Sequence, residues 1–136
     1  MAVFVDASAL IAIIAGEPEA DALSDALDAD PRRFCSAVSV WETVAGLVRS
    51  YAFTVPGARE HVRLYLDTAS IRFVAIDEDA YEHAVDAFAR YGKGRHPAAL
   101  NMGDCLAYAC ATAHGARFLF EGTDFSRTDL AQATGA

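Results

Sequence analysis

Two kinds of apolar pattern alternate along the chain. Short runs in which polar and apolar positions do not alternate predict buried strands at residues 2–5, 34–37, 71–76 and 117–120. Between these runs, apolar residues recur every three or four positions, which is typical of amphipathic helices. The predicted helices lie between Asp6 and Gly16 and at residues 19–29, 39–51, 58–69, 77–91 and 102–114.

The order of these elements predicts the architecture. Each apolar strand is followed by one or two helices, and strands that are apolar on both faces are typical of a parallel sheet covered on both sides. We therefore expect an α/β fold, a three-layer α/β/α sandwich around a central, mainly parallel sheet of four to five strands. The sequence shows no linker, repeat or low-complexity segment, so residues 1–136 are expected to form a single domain.

Charge and cysteine content narrow the function classes. The 11 basic and 19 acidic residues give a net charge of −8, which argues against a broad nucleic-acid-binding surface and restricts any such contact to a local site. Three cysteines without CxxC spacing favour a reducing cytoplasm over a disulfide framework or a zinc site. The apolar start carries Asp6 and lacks a basic leader, so a signal peptide is not expected. Its uninterrupted apolar runs are too short to span a bilayer.

Four acids occupy related positions in the predicted fold. Asp6 ends the first strand, and Asp124 follows the last one. Glu42 is expected in the first turn after the second strand, and Asp104 lies in the first turn of a nearly all-apolar helix. Ligands of open α/β sheets bind beyond the carboxyl ends of the strands, so all four acids are predicted to meet at that edge.

Each acid alone also has a structural explanation. The spacings Ser39-x-x-Glu42 and Asn101-x-x-Asp104 are typical of capping boxes, and an acid after a strand can cap the next helix or hold a turn. Capping does not explain why all four positions are acidic together. Asp104 also lies in an apolar stretch, where a carboxylate needs a partner, and a shared cation would supply it.

The chemistry of the predicted site favours a hard divalent ion. No histidine pairs with a cysteine or another histidine at transition-metal spacing, and an oxygen-only site favours Mg²⁺ or Mn²⁺. Carboxylate-held ions of this kind activate water and offset charge on phosphate. The leading hypothesis is therefore a metal-dependent nuclease or phosphatase.

The sequence resembles a known family in four segments. These are VDASAL at 5–10, SVWE at 39–42, GKGRHPAALNMGDC at 92–105 and FEGTDFSRTD at 120–129. Through them the chain resembles the PIN-domain ribonucleases, and within that family the VapC toxins of type II toxin–antitoxin (VapBC) systems. The four acids of the family pattern correspond to Asp6, Glu42, Asp104 and Asp124.

The resemblance implies a PIN-like fold and a specific activity. It implies endonucleolytic cleavage of RNA with Mg²⁺ or Mn²⁺ held by the four acids, which serve as both metal and catalytic residues. It also implies inhibition by a VapB antitoxin and assembly into a homodimer or a higher toxin–antitoxin complex. One departure is that Thr123 precedes Asp124 where many relatives carry Asn or Asp.

Several neighbouring residues are candidates for supporting roles. Ser8 and Thr123 can orient a carboxylate or water, and Arg95 and His96 can meet RNA phosphate from a loop; each also has a structural explanation. Asp129, close to Asp124 in sequence, is a candidate to approach the site, but the simpler interpretation is a solvated acid at the start of the C-terminal segment. Trp41, beside Glu42, is expected to lie in the core rather than to stack on RNA bases.

Three alternative classes of protein fit the residues less well. A magnesium-dependent phosphatase with Asp6 as nucleophile would need a second Asp two positions later, where this chain has Ser8. A response-regulator receiver would need a lysine after a late strand, and Lys93 follows a helix. A catalytically silent PIN-like binding module is the non-enzymatic alternative, and the intact acid set argues against it.

Overall fold

Four parallel strands form the centre of the protein. The computed structural model describes residues 1–122 and 125–129. Within them the strands are β1 (Ala2–Val5), β2 (Arg32–Cys35), β3 (Ile71–Phe73) and β4 (Arg117–Leu119), in the order β3-β2-β1-β4 with every pairing parallel. The helices are α1 (Ala7–Ala15), α2 (Ala20–Asp28), α3 (Ala37–Tyr51), α4 (Val55–Thr68), α5 (Glu78–Tyr91) and α6 (Met102–Ala113).

Each face of the sheet is covered by its own group of helices. Successive strand residues point to opposite faces, so Phe4 and Phe118 pack under α5 and α6 while Val3 and Val5 pack under α1 to α4. Both faces are therefore apolar, which explains why the strand sequences do not alternate between polar and apolar residues. The predicted three-layer α/β/α architecture with a parallel sheet is confirmed.

The second strand begins and ends earlier than its sequence predicts. It spans Arg32–Cys35, because the Arg33 guanidinium binds the backbone carbonyls of Asp28, Asp30 and Ala69 and holds this polar start in the sheet. The following helix is capped by Ser36, whose side chain accepts from the Ser39 backbone N–H. The prediction of Ser39 as the cap was wrong, since Ser39 is the third helical residue of a Ser36 capping box.

Three further boundaries differ from the predicted ones. Helix α4 begins at Val55 rather than at residue 58, because Thr54 caps it and Pro56 fits within the first turn, where no backbone donor is needed. Strand β3 ends at Phe73 rather than at residue 76, after pairing with Cys35. Strand β4 ends at Leu119 rather than at residue 120.

The parallel pairing aligns the strand ends. Val5 is in register with Leu119, and Cys35 is in register with Phe73. The chain leaves the sheet at this edge to enter α1, α3 and the segment after β4. Side chains carried by those three connections are thereby brought to one side of the molecule.

None of the helices in the described ranges combines the length and the apolar composition required to cross a bilayer.

Candidate active site

Asp6 is fixed at the end of β1 by hydrogen bonds on both sides. Its backbone N–H donates to the Leu119 carbonyl at 2.9 Å, which joins it to the end of β4. Its carboxylate accepts from the backbone N–H of Ser8 at 3.1 Å and from the Ser8 hydroxyl at 2.6 Å. Asp6 therefore caps α1, as one structural explanation predicted, and it is buried.

Ser8 connects this carboxylate to a second strand end. Its hydroxyl oxygen accepts from the Glu121 backbone N–H at 3.0 Å while its proton is donated to Asp6. The hydroxyl thus ties the segment after β4 to the segment after β1. Ser8 fits the predicted supporting position, since it restricts the orientation of the Asp6 carboxylate.

Glu42 lies in the second turn of α3 and has no capping role. The cap of this helix is Ser36, so the expectation that Glu42 follows directly on the strand in the first turn was wrong. Its side chain is half-buried against Gly103 of α6. A Cβ atom at position 103 would lie 2.7 Å from the Glu42 carboxyl carbon, so the glycine leaves the space that this carboxyl group occupies.

The sequence reasoning missed Gly103, although a signal was present. Glycine inside a helix costs about 1 kcal/mol relative to alanine, so a glycine between Met102 and Asp104 in an otherwise good helix needs a reason. The reason is the close approach of a carboxyl group from another helix.

Asp104 has two roles at the start of α6. Its carboxylate accepts from the Asn101 backbone N–H at 3.1 Å, and the Asn101 side chain accepts from the Asp104 backbone N–H at 2.9 Å. This is the capping box that the spacing predicted. Asp104 nevertheless acts electrostatically on Glu42, so the capping acid is also part of the carboxylate cluster.

The three carboxylates oppose one another. Burial is the largest cause that raises the pKa of Glu42, and the charges of Asp6 and Asp104 raise it further, to about 7 from a usual value of 4.5. Part of the Glu42 population therefore carries a proton at neutral pH. We call Asp6, Glu42 and Asp104 the carboxylate cluster, because the negative charges of Asp6 and Asp104 act on Glu42.

A divalent cation fits this donor set. All three side chains are oxygen donors, and a bound cation would relieve the repulsion that holds a proton on Glu42. No group of three or more His, Cys, Asp or Glu side chains in residues 1–122 and 125–129 is arranged to hold a metal ion by itself. The described residues thus supply the charge and the chemistry of a metal site without a complete preformed ligand shell.

Four other predicted site residues are not part of the carboxylate cluster as the structure describes it. Asp124 and Thr123 fall outside the described residues. Arg95 is exposed in the loop between α5 and α6, with its guanidinium 5.5 Å from the Phe88 ring. His96 accepts from the Ala98 backbone N–H at 3.0 Å, so it orders this loop.

The outcomes for two single residues differ. Asp129 is exposed, as expected, and it is also partnered: it accepts from the Tyr108 hydroxyl at 2.5 Å and pairs with Arg90 at 3.5 Å. These contacts anchor the described end of the chain to α5 and α6. Trp41 was expected in the core, but 70% of it is exposed, because the core side of α3 is formed by residues such as Thr43 and Leu47.

Comparison with known proteins shows which family the chain is similar to. Residues 3–130 match the PIN domain family model. The chain is 46% identical to Ribonuclease VapC of Mycolicibacterium smegmatis and 42% identical to Ribonuclease VapC30 of Mycobacterium tuberculosis, in each case over 127 residues. The alignments cover 93% of this chain and 96% and 95% of the two relatives.

Solved structures share the fold. The sarcin-ricin loop cleaving toxin VapC20 of Mycobacterium tuberculosis superimposes with a TM-score of 0.74 over 96% of this chain and 97% of its own, at 20% identity. A chain of a toxin–antitoxin complex from Klebsiella pneumoniae gives a TM-score of 0.68 at 24% identity, covering 95% of this chain and 93% of that one. At these identities the two structures show a common fold.

The raised pKa of Glu42 predicts a pH dependence of stability in the metal-free chain. Between pH 4.5 and about 7, the folded chain keeps a proton that the unfolded chain has released. The free energy of unfolding contributed by this group therefore falls as pH rises through that window. We expect thermal unfolding in chelator to show a larger loss of stability from pH 5 to pH 7.5 in the wild type than in Glu42→Gln.

Glu60→Gln is the matched control, because Glu60 is exposed on α4. It should keep the wild-type pH dependence. An identical pH dependence in wild type and Glu42→Gln would contradict the electrostatic description of the cluster.

Proposed function

Because the chain belongs to the PIN domain family, and within it to the VapC ribonucleases, we propose that it is an endoribonuclease that hydrolyses RNA phosphodiester bonds with Mg²⁺ or Mn²⁺, as the toxin of a VapBC toxin–antitoxin pair. The observation that carries the proposal is the carboxylate cluster. Glu42 reaches across from α3 to Gly103, and its pKa responds to Asp6 and Asp104. A structural set of caps would not need this convergence of charge.

Each residue of the cluster has a definable task in this proposal. Asp6, Glu42 and Asp104 would hold the ion, and Asp124 is the fourth ligand proposed from the family pattern. The ion would supply the Lewis acid that makes water nucleophilic near neutral pH and offsets the charge developing on phosphate. Ser8 restricts Asp6, and the Asn101 backbone restricts Asp104, so two donors are held in position before the ion arrives.

Glu42 adds a proton step to ion binding. With a pKa of about 7 it carries a proton on its carboxyl group in part of the metal-free population. That proton must leave when the carboxylate becomes a ligand, so acid pH competes with the ion. Activity is therefore expected to decline as pH falls below neutral.

The family membership favours a nuclease over the alternative of a phosphatase that uses Asp6 as nucleophile. Asp6 already accepts two hydrogen bonds from Ser8 and caps α1, which suits a fixed ligand better than an attacking group. A catalytically silent binding module remains the alternative that the following experiment decides.

Removal of single carboxylates is expected to abolish cleavage. Asp6→Asn, Glu42→Gln, Asp104→Asn and Asp124→Asn should each lower RNA cleavage at least about 100-fold, since loss of even outer-shell partners of a metal ligand costs 10–100-fold. The measurement uses purified chain, freed of any partner, with total cellular RNA and Mn²⁺, and maps the new RNA ends. Calorimetric titration of Mn²⁺ into the same variants should show weakened binding.

Glu60→Gln and Asp86→Asn, exposed acids on α4 and α5, serve as charge-matched controls and should cleave like the wild type. Cleavage that continues in excess chelator would refute the metal mechanism. Wild-type binding of Mn²⁺ by Asp104→Asn would show that Asp104 is only a helix cap.

An antitoxin is the protein partner in this proposal. The structural neighbour from Klebsiella pneumoniae comes from a toxin–antitoxin complex. Three converging carboxylates also attract an arginine side chain, whose planar fork binds carboxylates in pairs and would displace both ion and RNA. A basic segment of the antitoxin is therefore proposed to reach the carboxylate cluster.

Co-expression with the small open reading frame next to the gene should give a co-purifying complex. We expect the complex to cleave RNA far more slowly than the free chain, and proteolytic removal of the partner to restore the activity. A neighbouring product that neither binds the chain nor relieves its toxicity would contradict this part of the proposal.

A homodimer is proposed from an exposed apolar surface between two helices. Tyr81, Val85 and Phe88 of α5 and Met102 of α6 are between 48% and 75% exposed, and they border an apolar cavity of about 430 Å³. We call this surface the α5–α6 face. Apolar side chains grouped in this way are typical of surfaces that another protein covers.

The protein is proposed to act in the cytoplasm, a reducing compartment in which its three buried cysteines would stay free thiols.

Light scattering should give twice the mass of the chain for the wild type. Val85→Glu should shift it toward the monomer, because a charge on the α5–α6 face would be buried without a partner. Leu64→Glu is the control, since Leu64 is 62% exposed on α4 away from this face. A dimer unaffected by Val85→Glu would place the contact elsewhere.

A further inference from the structure

A groove lined by arginines lies beside the helix that carries Glu42. It is bounded by α3, α4 and β3, has a volume of about 500 Å³, and is lined by Arg59, Arg63 and Arg72 above a floor that includes Val62, Leu66 and Ile71. We call it the arginine groove. Three of the 11 basic residues of a chain with net charge −8 thus line one cavity.

These arginines have no protein partner among the described residues. Arg33, Arg90 and Arg117 are held in ion pairs, whereas neither an ion pair nor a side-chain hydrogen bond involves Arg59, Arg63 or Arg72 within residues 1–122 and 125–129. Asp67 also lines the groove and does not pair with them.

Their spacing is unfavourable in the chain alone. Arg59 and Arg63 are four residues apart on α4, so two like charges lie about 5–6 Å apart at their Cβ atoms and repel. An anion in the groove would remove this repulsion. Arginine also presents its donors in a planar fork that matches phosphate.

The groove is connected to the carboxylate cluster by one helix. Val40 and Val44 of α3 line the groove, and each is two residues from Glu42. At about 100° per residue, they face the side of α3 opposite Glu42, and Trp41 lies between the two directions. The exposed Trp41 side chain therefore lies between the carboxylate cluster and the arginine groove. A bound nucleic-acid strand that crosses α3 from one to the other would pass over Trp41.

A second exposed aromatic ring lies in the groove itself. Phe73 is 58% exposed at the end of β3, the strand end in register with Cys35 and next to the start of α3. Exposed rings alternating with arginines are typical of surfaces that bind single-stranded nucleic acid, in which bases stack and phosphates pair.

We propose that the arginine groove binds the single-stranded RNA that flanks the cleaved bond, with phosphates on Arg59, Arg63 and Arg72 and bases stacked on Trp41 and Phe73. This inference rests on the proposed endoribonuclease function and assigns the path of its substrate. An acidic peptide would satisfy the arginines, but it gives no reason for two exposed aromatic rings leading toward the carboxylate cluster.

Trp41 provides a direct measurement, because it is the only tryptophan in the chain. Titration of a mixed-sequence 20-nucleotide single-stranded RNA into wild-type chain in chelator should quench the tryptophan fluorescence, since a stacked base contacts the ring. RNA binding seen by anisotropy without a change in this fluorescence would overturn the proposed path.

Charge removal tests the arginines. In the same titration, Arg59→Gln/Arg63→Gln should weaken RNA binding about tenfold at 100 mM KCl and lower the slope of log Kd against log salt by about 0.7 for each lost phosphate contact. The single variants Arg59→Gln and Arg63→Gln are measured as well. Their control is Arg32→Gln, which also removes one positive charge but lies at the start of β2, away from the groove. The control should bind RNA like the wild type, and thermal melts should show that all variants fold.

The activity measurements separate this inference from the proposed function. With Mn²⁺, the double variant should raise KM with little change in kcat and should bind Mn²⁺ like the wild type. If the double variant binds RNA as tightly as the wild type, the inference is overturned. If the double variant loses antitoxin binding but keeps RNA binding, the groove is a protein-binding site and the inference is also overturned. A wild type that shows the quenching and the arginine dependence but cleaves no RNA would refute the endoribonuclease and support the groove.

Discussion

The parallel alignment of β1, β2 and β4 is the constraint on which the site depends. Parallel strands all point the same way, so the residues that follow them meet at one edge although they are far apart in the chain. Asp6, Glu42 and Glu121 reach this edge from three separate connections, and α6 adds Asp104 from the side. The Ser8 hydroxyl then joins two of the strand ends by donating to Asp6 and accepting from the Glu121 backbone.

The grouping of these carboxylates, which the proposed function needs, lowers the stability of the fold. Grouping carboxylates at a partly buried edge costs folding free energy, and the proton retained by Glu42 is one expression of that cost. The rest of the fold offsets it with two apolar cores, one on each face of the sheet, and with caps on the helices that carry the acids. Asp6 and Asp104 each stabilise a helix start as well as contributing charge, so structural and chemical roles coincide in the same side chains.

Sequence reasoning succeeded where local rules decide the outcome. Apolar strands without alternation gave the parallel sheet, and the Asn101 and Asp104 pair gave a helix start at the correct residue. It failed where long-range contacts decide. Residues 32 and 33 belong to a strand because the Arg33 side chain finds three carbonyls, two of them from just before the strand and one from the end of α4. Trp41 is exposed because buried residues such as Thr43 and Leu47 form the core side of α3, which no local propensity of tryptophan reveals.

Gly103 gives the chain an unusual vulnerability. Any side chain at this position would enter the space of the Glu42 carboxyl group, although no charge and no hydrogen-bonding group would be lost. Every substitution of that glycine by a single nucleotide change introduces at least a Cβ atom. For a cell under selection to survive its own ribonuclease, this buried position is a short mutational route to a harmless protein, because it disturbs the site while leaving the exposed surface of the molecule unaltered.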